Sequence, residues 1–195
     1  YLTFNLKTTI RCSIFISPRP VTCGKSEFAE SILDGYKGRK YYIATMKIYD
    51  HEMEEKAARH RYNRRGRNFE TIECPLDISG VNISGGAVLI ECLTNLAANE
   101  LFLNGLSSDM VFENIKNGIE RLCRQACETV IVSGDVFEGG AAYGTETKEY
   151  MEVLGKINGF CASMSDMVIE VVYSIPICHK YPTDTDDMFN KGPYL

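Results

Sequence analysis

The chain has 195 residues, of which 45% are hydrophobic and 24% are charged. This is the length and composition of one ordinary globular domain, which excludes collagen-like, low-complexity and disordered classes. A formal net charge of -5 disfavours a general nucleic-acid binder unless the basic residues cluster. No apolar run approaches the roughly 18 residues that a membrane-spanning helix needs, so we expect no membrane span.

The eight cysteines are scattered, and no CxxC or Cys/His ligand spacing appears. A chain of this size needs no disulfide staples, so we expect reduced thiols, a cytoplasmic location and no structural zinc. Cys123 and Cys127 stand four residues apart, a spacing more typical of helix packing than of a metal site. Residues 1–11 lack the order of a signal peptide and are expected to be an irregular extension, as at a truncated or mis-started N-terminus.

Strand and helix signals alternate along the chain. Short apolar runs predict five strands, and helix formers between them predict helices over 27–33, 50–65, 93–102, 111–127 and 146–165. The predicted strands are 12–17, 40–45, 87–91, 129–133 and 167–173. Parallel strands need crossover connections and two covered faces, so we expect an α/β fold with a mostly parallel sheet flanked by helices. One domain over 12–181 is expected, followed by a frayed tail over 182–195.

A phosphate-binding loop is indicated by Gly24, Lys25 and Ser26, which stand between the first predicted strand and helix. They match the second half of the pattern GxxxxGK[ST]. In that pattern backbone N–H groups and the helix N-terminus hold phosphates, the lysine reaches the outer phosphates and the hydroxyl holds Mg²⁺. Arg19 replaces the first glycine, and Pro20 fixes φ and removes one N–H donor. The alternative interpretation is a helix cap with a surface lysine.

A carboxylate, Glu91, ends the apolar strand predicted over 87–91. A P-loop protein places the acid that orients Mg²⁺ at this point. Solvent-exposed strand ends often carry an acidic residue as well. Glu91 therefore indicates a metal site only because Lys25 and Ser26 are also present.

Segment 50–67 gathers basic side chains around His60. They are Lys56, Arg59, Arg61, Arg64, Arg65 and Arg67. Guanidinium groups can bind a polyphosphate. Their positive charge also disfavours protonation of His60, and a neutral imidazole can act as a nucleophile. The alternative interpretation is a solvated basic helix end with an incidental histidine.

Taken together, these residues resemble the bifunctional adenosylcobinamide kinase / adenosylcobinamide-phosphate guanylyltransferase family of cobalamin biosynthesis. The resemblance covers residues 14–180. It rests on GKSEFAE (24–30), YIAT (42–45), DxEM (50–53), AARHR (57–61), TIECPLD (71–77), LIECLTNLAANELF (89–102), VSGDVFEGG (132–140), GKIN (155–158) and IPICHK (175–180). Three departures stand out: Arg19 and Pro20 replace a glycine pair, Gly134 and Asp135 replace an Asn-Glu pair, and Phe137 replaces a glycine.

The resemblance implies a RecA-like P-loop fold and a homotrimer. It implies GTP and ATP as substrates, Mg²⁺ held by Ser26 and Glu91, and adenosylcobinamide and its phosphate as partners. His60 matches the histidine that becomes guanylylated, and Lys25 matches the catalytic lysine of the loop. The implied nucleotide-binding residues are Arg19, Pro20, Val21, Thr22, Cys23, Gly24, Lys25, Ser26, Ala44, Thr45, Met46, Arg61, Tyr62, Asn63, Arg64, Glu73 and Glu91.

We therefore expect an enzyme that phosphorylates adenosylcobinamide and transfers GMP from GTP to the phosphate, giving adenosylcobinamide-GDP through a guanylyl-histidine. Two alternatives remain at the level of sequence. One is a non-catalytic nucleotide- or corrinoid-binding homologue with a degenerate loop, and the other is a different P-loop small-molecule kinase. A sequencing frameshift before Val21 would also account for Arg19.

Overall fold

The computed structural model describes residues 12–16, 24–63, 65–134 and 143–181. The expected extension over 1–11, the expected tail over 182–195 and most of the glycine-rich segment after Gly134 lie outside them. The described strands are β1 (Cys12–Ile16), β2 (Lys40–Ala44), β3 (Phe69–Glu73), β4 (Ala87–Glu91), β5 (Glu128–Val132), β6 (Met167–Val172) and β7 (Ile175–Lys180). The described helices are α1 (Lys25–Ile32), α2 (His51–Asn63), α3 (Leu93–Phe102), α4 (Ser108–Gln125) and α5 (Thr145–Met164), with a 3₁₀ turn over Ile78–Gly80.

The described strands form one sheet in the order β3-β2-β4-β5-β1-β6-β7. All neighbouring pairs are parallel except β6 and β7, which are antiparallel. The predicted α/β class, with a mostly parallel sheet flanked by helices, is confirmed. The strand order is consistent with the RecA-like P-loop fold that the resemblance implies.

Alternate residues of the central strands point to opposite faces of the sheet, because side chains in a strand alternate. On one face Ile43 and Ile90 pack with α3, α4 and α5 in the larger buried cluster. On the other face Tyr42 and Leu89 pack with α1. Both faces of the central strands are therefore buried, which explains why these strands have nearly continuous apolar sequences.

Two strands, β3 and β7, are missing from the sequence-based prediction, so the expected number of five strands was wrong. Both lie at the edges of the sheet. β3 carries two glutamates and β7 contains Pro176, and edge strands are where charges and proline are tolerated. Their sequences therefore lack the buried apolar run on which the prediction relied.

Helix boundaries differ from the predicted ones by a few residues at the polar ends. The structure begins α4 at Ser108, three residues earlier than predicted, because the Ser107 side chain accepts a hydrogen bond from the Met110 N–H at 3.5 Å. The same helix ends at Gln125, and α2 ends at Asn63. Among the described helices, none combines the length and the apolar character needed to cross a bilayer.

We expect Gly118→Ala to destabilise the protein by about 1–3 kcal/mol, since a larger residue at a packed site forces neighbours apart. A Cβ at Gly118 on α4 would stand 2.5 Å from Ile78 Cγ2 and 2.9 Å from the Ser79 backbone nitrogen. Chemical denaturation measures the change. The matched control is Gly159→Ala on α5, where a Cβ meets nothing within 4 Å; it should stabilise by about 0.5–1 kcal/mol. Equal effects at the two positions would contradict the close packing of α4 on the 3₁₀ turn.

Candidate functional site

The carboxyl ends of the parallel strands meet at one edge of the sheet. In the strand register Ala44 pairs with both Glu73 and Glu91, and Glu91 pairs with Val132. The carboxyl ends of β2, β3, β4 and β5 therefore lie at the same edge. In open α/β sheets ligands bind outside this edge.

Gly24 and Lys25 form the start of α1 at this edge. Gly24 has φ +79°, a left-handed conformation that glycine adopts without the strain that a side chain introduces. A Cβ on Gly24 would also collide with Ser174 Oγ in the turn between β6 and β7. The left-handed backbone and the close approach of Ser174 both favour glycine at this position.

Ser26 and Glu91 are joined directly. The Ser26 hydroxyl donates a hydrogen bond to Glu91 Oε1, and the Tyr42 hydroxyl donates to Glu91 Oε2 at 3.1 Å. The sequence predicted both Ser26 and Glu91 as metal residues but gave no sign of Tyr42. A hydroxyl and a carboxylate placed together are oxygen ligands of the kind that Mg²⁺ prefers, so this pair fits the expected ion.

The Lys25 ammonium lies beside the end of β5 and the end of β4. A Cβ on Gly134 would stand 3.0 Å from Thr94 Cγ2 and 3.7 Å from the Lys25 Nζ atom, so the backbone after β5 passes close to both side chains. Cys92, whose Sγ contacts Thr94 Oγ1 at 2.8 Å, lies close enough for the Lys25 charge to act on its thiol. Burial raises the pKa of the Cys92 thiol, while the Thr94 hydrogen bond and the Lys25 charge oppose the rise. Cys92 is therefore a neutral neighbour of Lys25.

Thr45 ties the end of β2 to the end of β4. Its hydroxyl donates to the Cys92 carbonyl at 2.8 Å and accepts from the Cys92 N–H at 2.6 Å. Its own N–H donates to the Glu91 carbonyl at 2.9 Å. Thr45 was predicted as a nucleotide-binding residue, and the geometry gives it a second task of holding the backbone on both sides of the Glu91–Cys92 peptide.

Asn99 on α3 fixes the other side of Thr45. Its Nδ2 atom donates to the Thr45 carbonyl at 2.9 Å and to the Pro75 carbonyl at 3.0 Å. The loop after β3 is therefore anchored to the loop after β2 by one buried amide. The sequence gives no local signal that singles out Asn99, because the stretch LTNLAANELF contains three other polar residues, and its burial becomes visible only in the structure.

We expect Asn99→Ala to destabilise the protein by about 2–4 kcal/mol, because two carbonyl oxygens lose their shared donor in a buried place. Thermal or chemical unfolding measures the change. Asn95→Ala on the same helix is the control, since that amide makes neither of the two contacts, and it should change the unfolding free energy by less than about 1 kcal/mol. A loss of similar size in both variants would contradict the anchoring role of Asn99.

His60 lies on α2, one residue before Arg61. The Arg61 guanidinium stands 3.8 Å from Glu73 Oε1 at the carboxyl end of β3. Arg67 belongs elsewhere, since it contacts Glu30 of α1 at 3.1 Å and Asp34 at 3.7 Å. The ion pair of Arg61 and Glu73 thus ties the histidine-bearing helix to the strand edge.

The structure brings together part of the predicted site. Gly24, Lys25, Ser26, Thr45 and Glu91 form one connected group, with Ala44 and Met46 on either side of Thr45. Arg61, Tyr62 and Glu73 form a second group near β3, where the Arg65 guanidinium stacks over the Tyr62 ring at 5.2 Å. Asn63 is the last residue of α2. The remaining predicted residues, Arg19, Pro20, Val21, Thr22, Cys23 and Arg64, lie outside the described residues.

Comparisons with known proteins identify the family of the chain. The model of the family CobU, described as cobinamide kinase / cobinamide phosphate guanyltransferase, matches residues 19–178. The bifunctional adenosylcobalamin biosynthesis protein CobU of Salmonella typhimurium is 29% identical over 171 residues, covering 79% of this chain and 92% of that protein. The protein of the same name from Escherichia coli is 28% identical over 172 residues with the same coverage. Among solved structures, one ATPase domain aligns at 13% identity with a TM-score of 0.45, covering 89% of this chain and 78% of the other. Because the family model spans most of the sequence, the chain belongs to the cobinamide kinase / cobinamide phosphate guanyltransferase family, whose members are bifunctional enzymes.

Proposed function

We propose that this protein phosphorylates adenosylcobinamide and then transfers GMP from GTP to adenosylcobinamide phosphate, through a guanylyl group carried on His60. The observation that carries the proposal is the hydrogen bond between Ser26 and Glu91, with the Lys25 ammonium close by. It joins the phosphate loop to the acid of the neighbouring strand end, which is the arrangement that phosphoryl transfer requires.

In the kinase reaction the chain's own groups bind and orient a nucleoside triphosphate. The N-terminus of α1 and the Lys25 ammonium hold the outer phosphates, and Thr45 keeps the Glu91 backbone in place. A Mg²⁺ ion held by Ser26 and Glu91 would neutralise charge on the transferred phosphoryl group. The hydroxyl of adenosylcobinamide attacks the γ-phosphorus, the bond to the nucleoside diphosphate breaks, and the hydroxyl proton leaves to solvent.

In the guanylyl reaction an imidazole nitrogen of His60 attacks the α-phosphorus of GTP. A P–N bond forms, the bond to the β-phosphate oxygen breaks and pyrophosphate leaves. Covalent catalysis of this kind divides one difficult displacement into two easier ones. Arg61 next to the histidine supplies positive charge for the departing group, and its ion pair with Glu73 keeps that guanidinium at the sheet edge.

The proposal is tested by supplying purified protein with Mg²⁺, adenosylcobinamide and either ATP or GTP, and identifying products by mass spectrometry. With GTP we expect adenosylcobinamide phosphate to appear first and adenosylcobinamide-GDP to follow. Nucleotide binding without either product would identify a non-catalytic homologue. The phosphate alone, with no GDP product at any GTP concentration, would identify a different small-molecule kinase.

A further inference from the structure

In the second half of the proposed guanylyl transfer, two anions must react with each other. The inference drawn below therefore rests on the proposed function. A phosphate monoester, which carries close to two negative charges at neutral pH, must approach a guanylyl group that carries one. At 4 Å, like charges repel by several kcal/mol at the effective dielectric of a protein surface. A cationic group must therefore hold the acceptor phosphate close to His60.

Two concavities flank the pair of Arg61 and Glu73 in the described part of the chain. The larger, about 460 Å³, lies along the loop after β3 and contains Glu73 and Asp77 as its only ionisable side chains apart from the Cys74 thiol. The smaller, about 250 Å³, lies between the end of α2 and β3. Since Glu73 lines the larger and Arg61 lines the smaller, the two concavities are neighbours across that ion pair.

The residues that line the two concavities differ in charge, and this difference favours the smaller concavity as the site of the acceptor phosphate. Arg61 and Arg65 line it, together with the neutral polar residues Asn68 and Thr71 and the Phe69 ring. No lysine or arginine of the described residues lines the larger groove, where two carboxylates would repel a phosphate. Electrostatic complementarity therefore favours a dianion between the two guanidinium groups.

The Arg65 guanidinium is available to bind such a ligand. Its guanidinium rests on the Tyr62 ring at 5.2 Å, and no carboxylate of the described residues lies within ion-pair distance of it. Arg61 is the partner of Glu73, whereas Arg65 keeps its fork of N–H donors for another anion. Stacking on the ring also limits the rotamers that binding would otherwise have to freeze.

The size of the pocket limits what enters it. Its volume of about 250 Å³ accommodates a phosphate and the first atoms of its linker. A corrin ring is far larger and must remain outside. The pocket therefore fits the terminal phosphate of the acceptor and leaves the bulk of the substrate over the adjoining surface.

We propose that Arg65, with Arg61, Asn68 and Thr71, forms the binding site for the phosphate monoester of adenosylcobinamide phosphate. An oxygen of that phosphate, held by Arg65, attacks the phosphorus of the guanylyl group. A P–O bond forms and the P–N bond to His60 breaks, with the electron pair returning to the ring. The imidazole leaves as a neutral group when its second nitrogen carries a proton, so no further reactant is needed.

The test separates the two half-reactions in wild type, Arg65→Ala and Arg65→Gln. Labelling of the enzyme by α-labelled GTP is measured first without acceptor, and discharge of the purified labelled enzyme by adenosylcobinamide phosphate is measured second. We expect normal labelling in both variants, and an acceptor concentration for half-maximal discharge raised by about 10- to 100-fold, the effect of losing one charge-assisted hydrogen bond. Binding of adenosylcobinamide, which has no phosphate, should stay unchanged by calorimetry.

Arg124→Ala is the matched control, because that arginine is exposed on α4 and pairs only with Glu120 among the described residues. It should leave labelling and discharge unchanged. If the Arg65 variants are labelled normally and the acceptor discharges them as it discharges wild type, the inference about Arg65 is wrong but the proposed function stands. Labelling and discharge slowed in equal measure would also overturn it, since Arg65 would then serve GTP. Absence of label from wild type would overturn the proposed function itself.

Discussion

We expect His60→Ala to lose transfer of GMP to adenosylcobinamide phosphate while retaining phosphorylation of adenosylcobinamide. In the proposed function the imidazole carries the guanylyl group covalently, and removal of a nucleophile of this kind lowers turnover by up to about 10⁶-fold. The proposed kinase reaction uses Lys25, Ser26 and Glu91, which belong to a different group at the sheet edge. Separate assays of adenosylcobinamide phosphate and adenosylcobinamide-GDP show which of the two reactions the variant has lost.

The control for this variant is His51→Ala on the same helix. His51 is exposed at the start of α2 and stands 3.4 Å from Glu55 and 3.9 Å from Glu54. It should leave both reactions at the wild-type rate. Loss of both reactions in His60→Ala, with His51→Ala unaffected, would show that His60 supports the nucleotide site as a whole instead of carrying the guanylyl group.

Lys25→Ala should lower the rate of adenosylcobinamide phosphorylation by about 10²- to 10³-fold, which corresponds to about 3–4 kcal/mol of transition-state stabilisation. The ammonium lies close to Gly134 and Cys92 at the edge of the sheet, where we propose that it meets the outer phosphates of a nucleotide at the α1 N-terminus. Steady-state kinetics with ATP and with GTP measure the change. Most of it should appear in kcat, because the interaction strengthens in the transition state.

Lys156→Ala is the comparison variant, since this lysine is exposed on α5 and its nearest carboxylate is Asp109 at 3.9 Å. Its rate should equal that of wild type. An unchanged phosphorylation rate in Lys25→Ala would mean that the Gly24-Lys25-Ser26 segment is a helix cap with a surface lysine, the alternative that the sequence leaves open.

The buried strands and the start of α1 could be predicted from sequence because their physical signals are local. Ala87–Glu91 is an unbroken apolar run with a terminal acid, and Gly24 precedes a helix that begins with lysine. β3 and β7 escaped prediction because edge strands are half exposed and share no such run. Local sequence patterns thus predict strands that are buried on both faces. They miss edge strands, which are stabilised mainly by pairing with one neighbouring strand.

The contacts that organise the site could not be predicted in the same way. Tyr42 reaches Glu91 across 49 positions of sequence, and Asn99 reaches Thr45 across 54. Such hydrogen bonds depend on which strands are neighbours and on which face each side chain occupies, and a single chain reveals neither directly. Arg65 is similar, since the sequence does not distinguish the arginines of segment 50–67 from one another. The structure shows that Arg67 pairs with Glu30 and that Arg65 lies over the Tyr62 ring.

The central claim, a guanylyl group carried on His60, is tested most directly by the covalent adduct. Wild-type protein is incubated with α-labelled GTP and Mg²⁺, freed of nucleotide, and analysed by intact mass and by fragmentation of the labelled peptide. We expect one GMP per chain on His60, labile to acid as a phosphoramidate, and transferred quantitatively to added adenosylcobinamide phosphate. Label retained by His60→Ala, or label that the acceptor does not remove, would contradict the account.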